Sequence, residues 1–242
     1  MSRMPDGFID LTVTSPPYDN LRNYNGYSFD FESIAKELFR ITKDGGVVVW
    51  IVGDATIKGS ETGTSFKQAL YFKEIGFNLH DTMIYQKKAP IPQFKSHRYT
   101  GSFEYMFVFS KGKPKKGQIL TIPTKSAGRI DKKYRGQVKP NGEYVGKAIK
   151  KVKNEKLKTN IWIFSQNNGI DRTIKHNAQF PEQLVSDHII SWSNEDDLVY
   201  DPFMGSGTTA KVAILNKRNW IGSEISEDYC KMAEQRISEL KN

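Results

Sequence analysis

Apolar positions along the chain follow two rhythms. Residues 8–14, Phe-Ile-Asp-Leu-Thr-Val-Thr, form a short strand-like run, and Pro16-Pro17 stops it because proline cannot continue a sheet ladder. Over residues 31–41, Ile34, Ala35, Leu38, Phe39 and Ile41 recur at helical spacing. Gly45-Gly46 reads as the end of that helix, and residues 47–52 as an unbroken apolar strand stopped by Gly53-Asp54. Residues 65–75 predict a second helix, with Gly76 where a C-cap glycine belongs. Further strands are predicted at 82–85, 105–109, 160–164, 197–201 and 220–224, and helices at 181–192, 206–215 and 228–240. Helices alternating with continuous apolar strands predict an α/β fold, a mostly parallel sheet with helices on both faces.

Composition sets bounds on this picture. The 242 residues suit one domain with one inserted subdomain, and 38% hydrophobic and 12% aromatic residues exclude wholesale disorder. The lone cysteine, Cys230, can make neither an internal disulfide nor a cysteine zinc cluster, which fits a reducing compartment. The four histidines, His80, His97, His176 and His188, have no paired ligand spacing, so no metal is expected. No apolar run approaches the ~20 residues needed to cross a membrane. Met1–Gly7 has no signal-peptide core, so a soluble, cytoplasmic protein without a membrane partner is expected.

Charge changes the picture more. The formal net charge is +9, but residues 111–160 alone hold sixteen Lys/Arg against three Asp/Glu, leaving the rest of the chain slightly acidic. Glycines and Tyr134 and Tyr144 lie between the cations. The segment reads either as a solvated insertion or as a surface that neutralises phosphates, with Lys132, Lys133 and Arg135 as candidate contacts. It divides the chain into a first half, 1–110, a basic insertion, 111–160, and a second half, 161–242.

Two motifs carry candidate chemistry. Residues 198–210 read as a strand, a tight turn and a helix start, with Gly205-x-Gly207-x-x-Ala210 at dinucleotide-type spacing and Glu224 placed nineteen residues on, where an acid chelates a ribose diol. The alternative is a purely structural turn. No Gly-Lys-Ser/Thr follows, so a Walker-type loop is not supported. Asp201 is expected to point into the ligand crevice, where a carboxylate repels a pyrophosphate but favours the sulfonium and ammonium of S-adenosylmethionine. The second motif is Thr14-Ser15-Pro16-Pro17-Tyr18. It either ends a strand or serves a specific task. An exocyclic nucleobase amine is a poor nucleophile, because its lone pair is delocalised into the ring. Acceptors from Ser15 and the Ser15 and Pro16 carbonyls, aimed by the rigid prolines, would hold its N–H groups, and Tyr18 would stack on an extruded base.

Residues 13–18 and 201–209 together resemble the DNA amino-methyltransferases, which methylate N4 of cytosine or N6 of adenine, in the motif order of their beta group. Residues 176–182 resemble the family segment that contacts the methionine part of the cofactor, residues 221–226 the segment with the ribose-binding acid, and Arg98-Tyr99 with residues 103–111 the stretch before the recognition region. The resemblance implies a Rossmann-like S-adenosylmethionine-dependent fold acting on double-stranded DNA. It implies catalytic Ser15, Pro16, Pro17 and Tyr18. It implies cofactor contacts from Asp201, Pro202, Phe203, Gly205, Ser206, Gly207, Thr208, Thr209 and Glu224, with His176, Phe180 and Pro181, and a DNA contact from Arg98. The family's strand and acidic turn upstream of the catalytic strand have no counterpart in Met1–Gly7, so either the cofactor adenine has one polar contact fewer or the chain begins late.

In the family, a serine at the first tetrapeptide position goes mostly with N4-cytosine enzymes, so Ser15 favours cytosine over N6 of adenine. Carbon-5 cytosine chemistry needs a nucleophilic cysteine, and Cys230 reads as a packing residue. A non-catalytic DNA-binding relative is the alternative of another class, and a dinucleotide oxidoreductase is a third. A homodimer and a restriction endonuclease partner remain open.

Overall fold

The computed structural model describes residues 1–17, 29–92, 97–125, 139–143, 153–165 and 181–241. The chain folds as two units, Met1–Gln118 with Asn160–Asn242, and Ile119–Thr159.

The larger unit opens with β1 (Ile9–Thr14) and α1 (Phe31–Ile41). The Asp30 carboxylate caps α1 by accepting from the Ser33 amide at 3.2 Å. The chain turns directly from α1 into β2 (Thr42–Val52), so Gly45-Gly46 lies inside a strand and does not terminate the helix. The reason is a distant partner: Gly45 N–H donates to Lys111 O, while the Lys111 and Lys115 amides return bonds to Gly46 O and Gly45 O. A short hairpin follows, β3 (Thr56–Ile57) and β4 (Ser60–Glu61), which the apolar pattern does not announce. Then come α2 (Thr64–Glu74), β5 (Asn78–Lys87) and β6 (Phe103–Ser110).

The smaller unit contains β7 (Thr121–Pro123) paired antiparallel with β8 (Glu155–Leu157). It begins at Ile119, so residues 111–118 of the basic stretch belong to the larger unit. Lys111 is structural there. Its ammonium donates to Phe39 O at 2.9 Å and Thr42 O at 3.0 Å, so it caps the last carbonyls of α1. The larger unit resumes with β9 (Ile161–Phe164), α3 (Glu182–Trp192), β10 (Leu198–Asp201), α4 (Thr208–Leu215), β11 (Asn219–Gly222) and α5 (Glu227–Ser238).

Seven strands form one sheet in the order β11-β10-β1-β2-β6-β5-β9. All run parallel except β6, which is antiparallel to both neighbours. One face buries Leu11, Val13, Val49 and Ile51 with Leu184, Val185 and Ile189 of α3. The other buries Ile9, Val48 and Trp50 with Leu38 of α1 and Phe72 of α2. Asp10 joins three strands at one end of the sheet: it pairs with Lys43 at 2.6 Å and accepts from Leu198 N–H at 3.0 Å. Among the described residues, no helix is long and apolar enough to cross a membrane.

Candidate active site

Ligands of open parallel sheets bind beyond the carboxyl ends of the strands. Here that edge carries Thr14-Ser15 after β1, Gly53-Asp54 after β2, residues 201–207 after β10 and Glu224 after β11. Strands β1 and β10 are neighbours, with Leu11 opposite Val199 and Thr12 opposite Tyr200. The two motifs, separated by almost the whole chain, therefore leave the sheet side by side.

Side-chain bonds join them. The Asp201 carboxylate is 3% exposed. Its Oδ1 accepts from the Thr14 hydroxyl at 2.6 Å and from Phe203 N–H at 3.0 Å, and its Oδ2 accepts from the Thr209 hydroxyl at 2.7 Å. Burial pushes this carboxyl up to about 6, and the three donors offset part of that rise. Asp201 thus faces inward, contrary to its expected aim into the crevice, because a buried carboxylate is held where donors surround it. Thr208 and Thr209 are likewise engaged within the protein: the Thr209 hydroxyl donates to Asp201, and the Thr208 hydroxyl accepts from Arg236 Nη1 at 3.0 Å.

The turn is built tightly. Gly205 and Gly207 have φ of +51° and +79°, a left-handed conformation that glycine adopts without strain. A Cβ on Gly207 would lie 3.0 Å from Ala233 Cβ, so this glycine admits the close approach of α5. That differs from the sequence expectation, in which it admits a ligand. Glu224 lies two residues past β11. Its Oε2 accepts from Gly205 N–H at 2.7 Å, and its Oε1 accepts from Ile225 and Ser226 N–H, both at 2.9 Å. A carboxylate has about four lone-pair sites, so these bonds leave it room for one more donor. Met204 packs over Gly222, where any Cβ would collide with its sulfur. Phe203 lies edge-on to Phe29, ring centroids 5.5 Å apart, and Pro202 is buried.

Two residues absent from the sequence reading support this turn. Arg236 of α5, buried, donates to Ser206 O at 3.3 Å and to Glu182 Oε1 at 2.6 Å. Lys211 of α4 reaches the same Glu182 oxygen at 2.8 Å. Glu182 is the first residue of α3, directly after the buried Pro181, so the glycine-rich turn and the start of α3 share one ion cluster. No sequence periodicity signals a contact between residues 54 positions apart.

Ser15 and Pro17 are half-buried and Pro16 is buried at the end of β1. Tyr18, His176, Phe180, Lys132, Lys133 and Arg135 lie outside the described residues. Arg98 is committed to the β3–β4 hairpin, donating to Gly59 O and pairing with Glu61 at 3.5 Å. Asp54 caps α2, accepting from Ser65 N–H at 2.8 Å and the Ser65 hydroxyl at 2.5 Å. The Cys230 thiol is half-buried in α5, and burial beside Glu224, Glu234 and Glu227 raises it. Among the described residues no cluster of His, Cys, Asp or Glu could hold a metal ion.

Comparison with known proteins gives this arrangement a family. A model of the N6/N4 class described as "DNA methylase" matches residues 9–235. The chain is 56% identical over 244 residues to the orphan methyltransferase M.BamHII of Bacillus amyloliquefaciens, covering 96% of this chain and 89% of that protein. Two solved structures share the fold. PvuII DNA methyltransferase (cytosine-N4-specific) has a TM-score of 0.71 at 23% identity, over 97% of this chain and 81% of the other. The M1.HpyAVI–SAM complex has 0.61 at 21%, over 96% and 89%. The fold is the expected Rossmann-like α/β sheet, and the chain belongs to the N6/N4 DNA methylase family, the DNA methyltransferases that modify exocyclic amines.

Proposed function

We propose that this chain transfers a methyl group from S-adenosylmethionine to N4 of a cytosine extruded from double-stranded DNA. The observation that carries the reading is the junction of β1 and β10, where the Thr14–Asp201 bond sets Ser15 beside the glycine-rich turn. The turn suits the donor. Glu224 keeps an acceptor position for a ribose hydroxyl, and Gly205 and Ser206 form the turn beside it, with Gly207 packed against α5. Pro202 and Phe203 wall the turn, while Asp201, Thr208 and Thr209 hold its shape from within. His176, Phe180 and Pro181, in the segment that resembles the family's methionine-contacting stretch, would also serve the cofactor. When bound, S-adenosylmethionine supplies an electrophilic methyl group on a sulfonium.

The chain's own residues prepare the acceptor. The Ser15 hydroxyl and the Ser15 and Pro16 carbonyls accept from the amine's N–H groups, which draws its lone pair out of the ring plane. The prolines fix φ and hold these acceptors rigid. Tyr18 stacks on the base. Transfer would leave the sulfonium as a neutral thioether, and the amine would pass its surplus N–H proton to solvent, because the Ser15 hydroxyl and the two carbonyls orient that proton without being basic enough to keep it. Ser15 favours cytosine N4 over adenine N6. The basic stretch, with Lys132, Lys133 and Arg135, grips the phosphate backbone while the base swings out.

The test uses isotopically labelled S-adenosylmethionine and duplex DNA. Wild type should move label into DNA. Ser15→Ala should lose that transfer while still binding the cofactor by calorimetry. Loss of cofactor binding in Ser15→Ala would contradict the assigned division of labour.

A further inference from the structure

The loops on the catalytic edge hold a feature that this chemistry does not use. Strands β2 and β5 run parallel to β1 and β10. The connections that follow them start at Gly53 and Lys88 and therefore emerge on the same edge as Ser15. They leave it about 5 Å and about 14 Å from β1, one strand spacing for β2 and three for β5. The first connection contains the β3–β4 hairpin. Lys58 and Gly59 at its tip have φ of +49° and +80°, the two-residue turn that matches strand twist. Arg98 bonds to Gly59 O and Glu61 and so latches the second connection onto this hairpin.

The latch leaves the next residue in the open: Tyr99 is 100% exposed, with Ile91 at 80% and Ile57 at 53% on the same two connections. A solitary exposed aromatic needs no explanation. Here Tyr99 directly follows the latched Arg98, and Ile57 projects from the paired hairpin, on the edge where substrate must arrive. The charge around them is selective. Asp54 is used as the cap of α2 and Glu61 is held by Arg98, while Lys58 and Lys88 are exposed cations. An exposed aromatic beside a latched hairpin, with exposed cations on the same two connections, fits a duplex, with phosphates meeting the cations and the ring entering a base step.

Resting on the reading of this chain as a base-extruding DNA methyltransferase, we propose that Tyr99 is the residue that enters the duplex and stabilises the opened state. Arg98 holds it in place and does not itself contact DNA. An aromatic plane can stack on whichever base remains, which offsets the unstacking cost of extrusion.

The experiment compares two duplexes carrying the site found by sequencing methylated DNA, one with the target base paired and one with it mispaired, since a mispaired base costs less to extrude. For Tyr99→Ala the ratio of kcat/KM on the paired duplex to that on the mispaired duplex should fall at least tenfold relative to wild type. Tyr99→Phe, which keeps the ring, should restore the ratio to within twofold. The Tyr99 side chain is fully exposed, so neither variant endangers folding. An unchanged ratio in Tyr99→Ala would overturn this assignment alone. Failure of the wild type to methylate either duplex would overturn the methyltransferase reading beneath it.

Discussion

The Thr14 hydroxyl donates a 2.6 Å hydrogen bond to Asp201 Oδ1, joining two residues 187 positions apart. It ties the last residue of β1 to the last residue of β10, so the turns proposed to hold the base and the methyl donor share one support. Thr14→Val keeps the shape and removes the donor. It should cost about 1–3 kcal/mol of stability, because the buried carboxylate loses a partner. It should also lower kcat more than it weakens cofactor binding. Urea unfolding and steady-state kinetics on one preparation check both.

Asp201 should also shape the pH dependence of stability. Its folded value of about 6 lies above its ordinary 3.8. Between those values the native protein keeps a proton that the unfolded chain has released, so this group lowers stability as pH rises from about 4 to about 6. The penalty is fully present above that window and absent below it. Asp201→Asn removes the titration. Relative to wild type, the variant should gain roughly 1–3 kcal/mol between about pH 4 and about pH 6, then run parallel. Unfolding curves taken below, within and above that window measure the difference, and a gap that stays constant would count against the buried carboxylate.

Arg236 is expected to matter to the cofactor although it lies in the last helix. Arg236→Gln breaks its contacts with Glu182, Ser206 O and Thr208. It should destabilise the fold by about 2–3 kcal/mol, below the usual cost for a fully buried pair because Glu182 is partly exposed. It should also weaken S-adenosylmethionine binding at a temperature where the variant remains folded. Calorimetric titration tests this, with Lys217→Gln as a surface control, since its pair with Glu195 is exposed.

The helices show how much was legible in the residues themselves. The boundaries of α1 follow from its spacing alone, because Ala35, Leu38 and Ile41 are each buried. The start of β2 was hidden: Gly45-Gly46 signals a break locally, and only the Lys111 backbone, a distant partner, makes it a strand. The hairpin at Lys58-Gly59 is too short to carry an alternating apolar pattern. In the site, residue types announced the turn at 205–207 and the tetrapeptide after β1. They could not announce which way Asp201 faces, since that depends on hydroxyls from Thr14 and Thr209 meeting in space. The Arg236–Glu182 pair was invisible for the same reason.

Salt should separate the basic stretch from the chemistry. If about six of its cations meet phosphates, log affinity for DNA should fall with log salt at a slope near about −5. Lys111 is excluded, being spent on α1. Replacing Lys132, Lys133 and Arg135 together by Gln should flatten the slope and weaken DNA binding, with cofactor affinity and base choice unchanged. Equal slopes for wild type and variant would return the segment to the role of a solvated insertion.

The most direct measurement of the central claim is mass spectrometry of nucleosides digested from duplex DNA after incubation with the protein and S-adenosylmethionine. The account predicts N4-methylcytosine as the modified base, absent when Ser15→Ala is used. N6-methyladenine in its place would contradict the reading of Ser15, and unmodified DNA would contradict the assignment of methyl transfer to this chain.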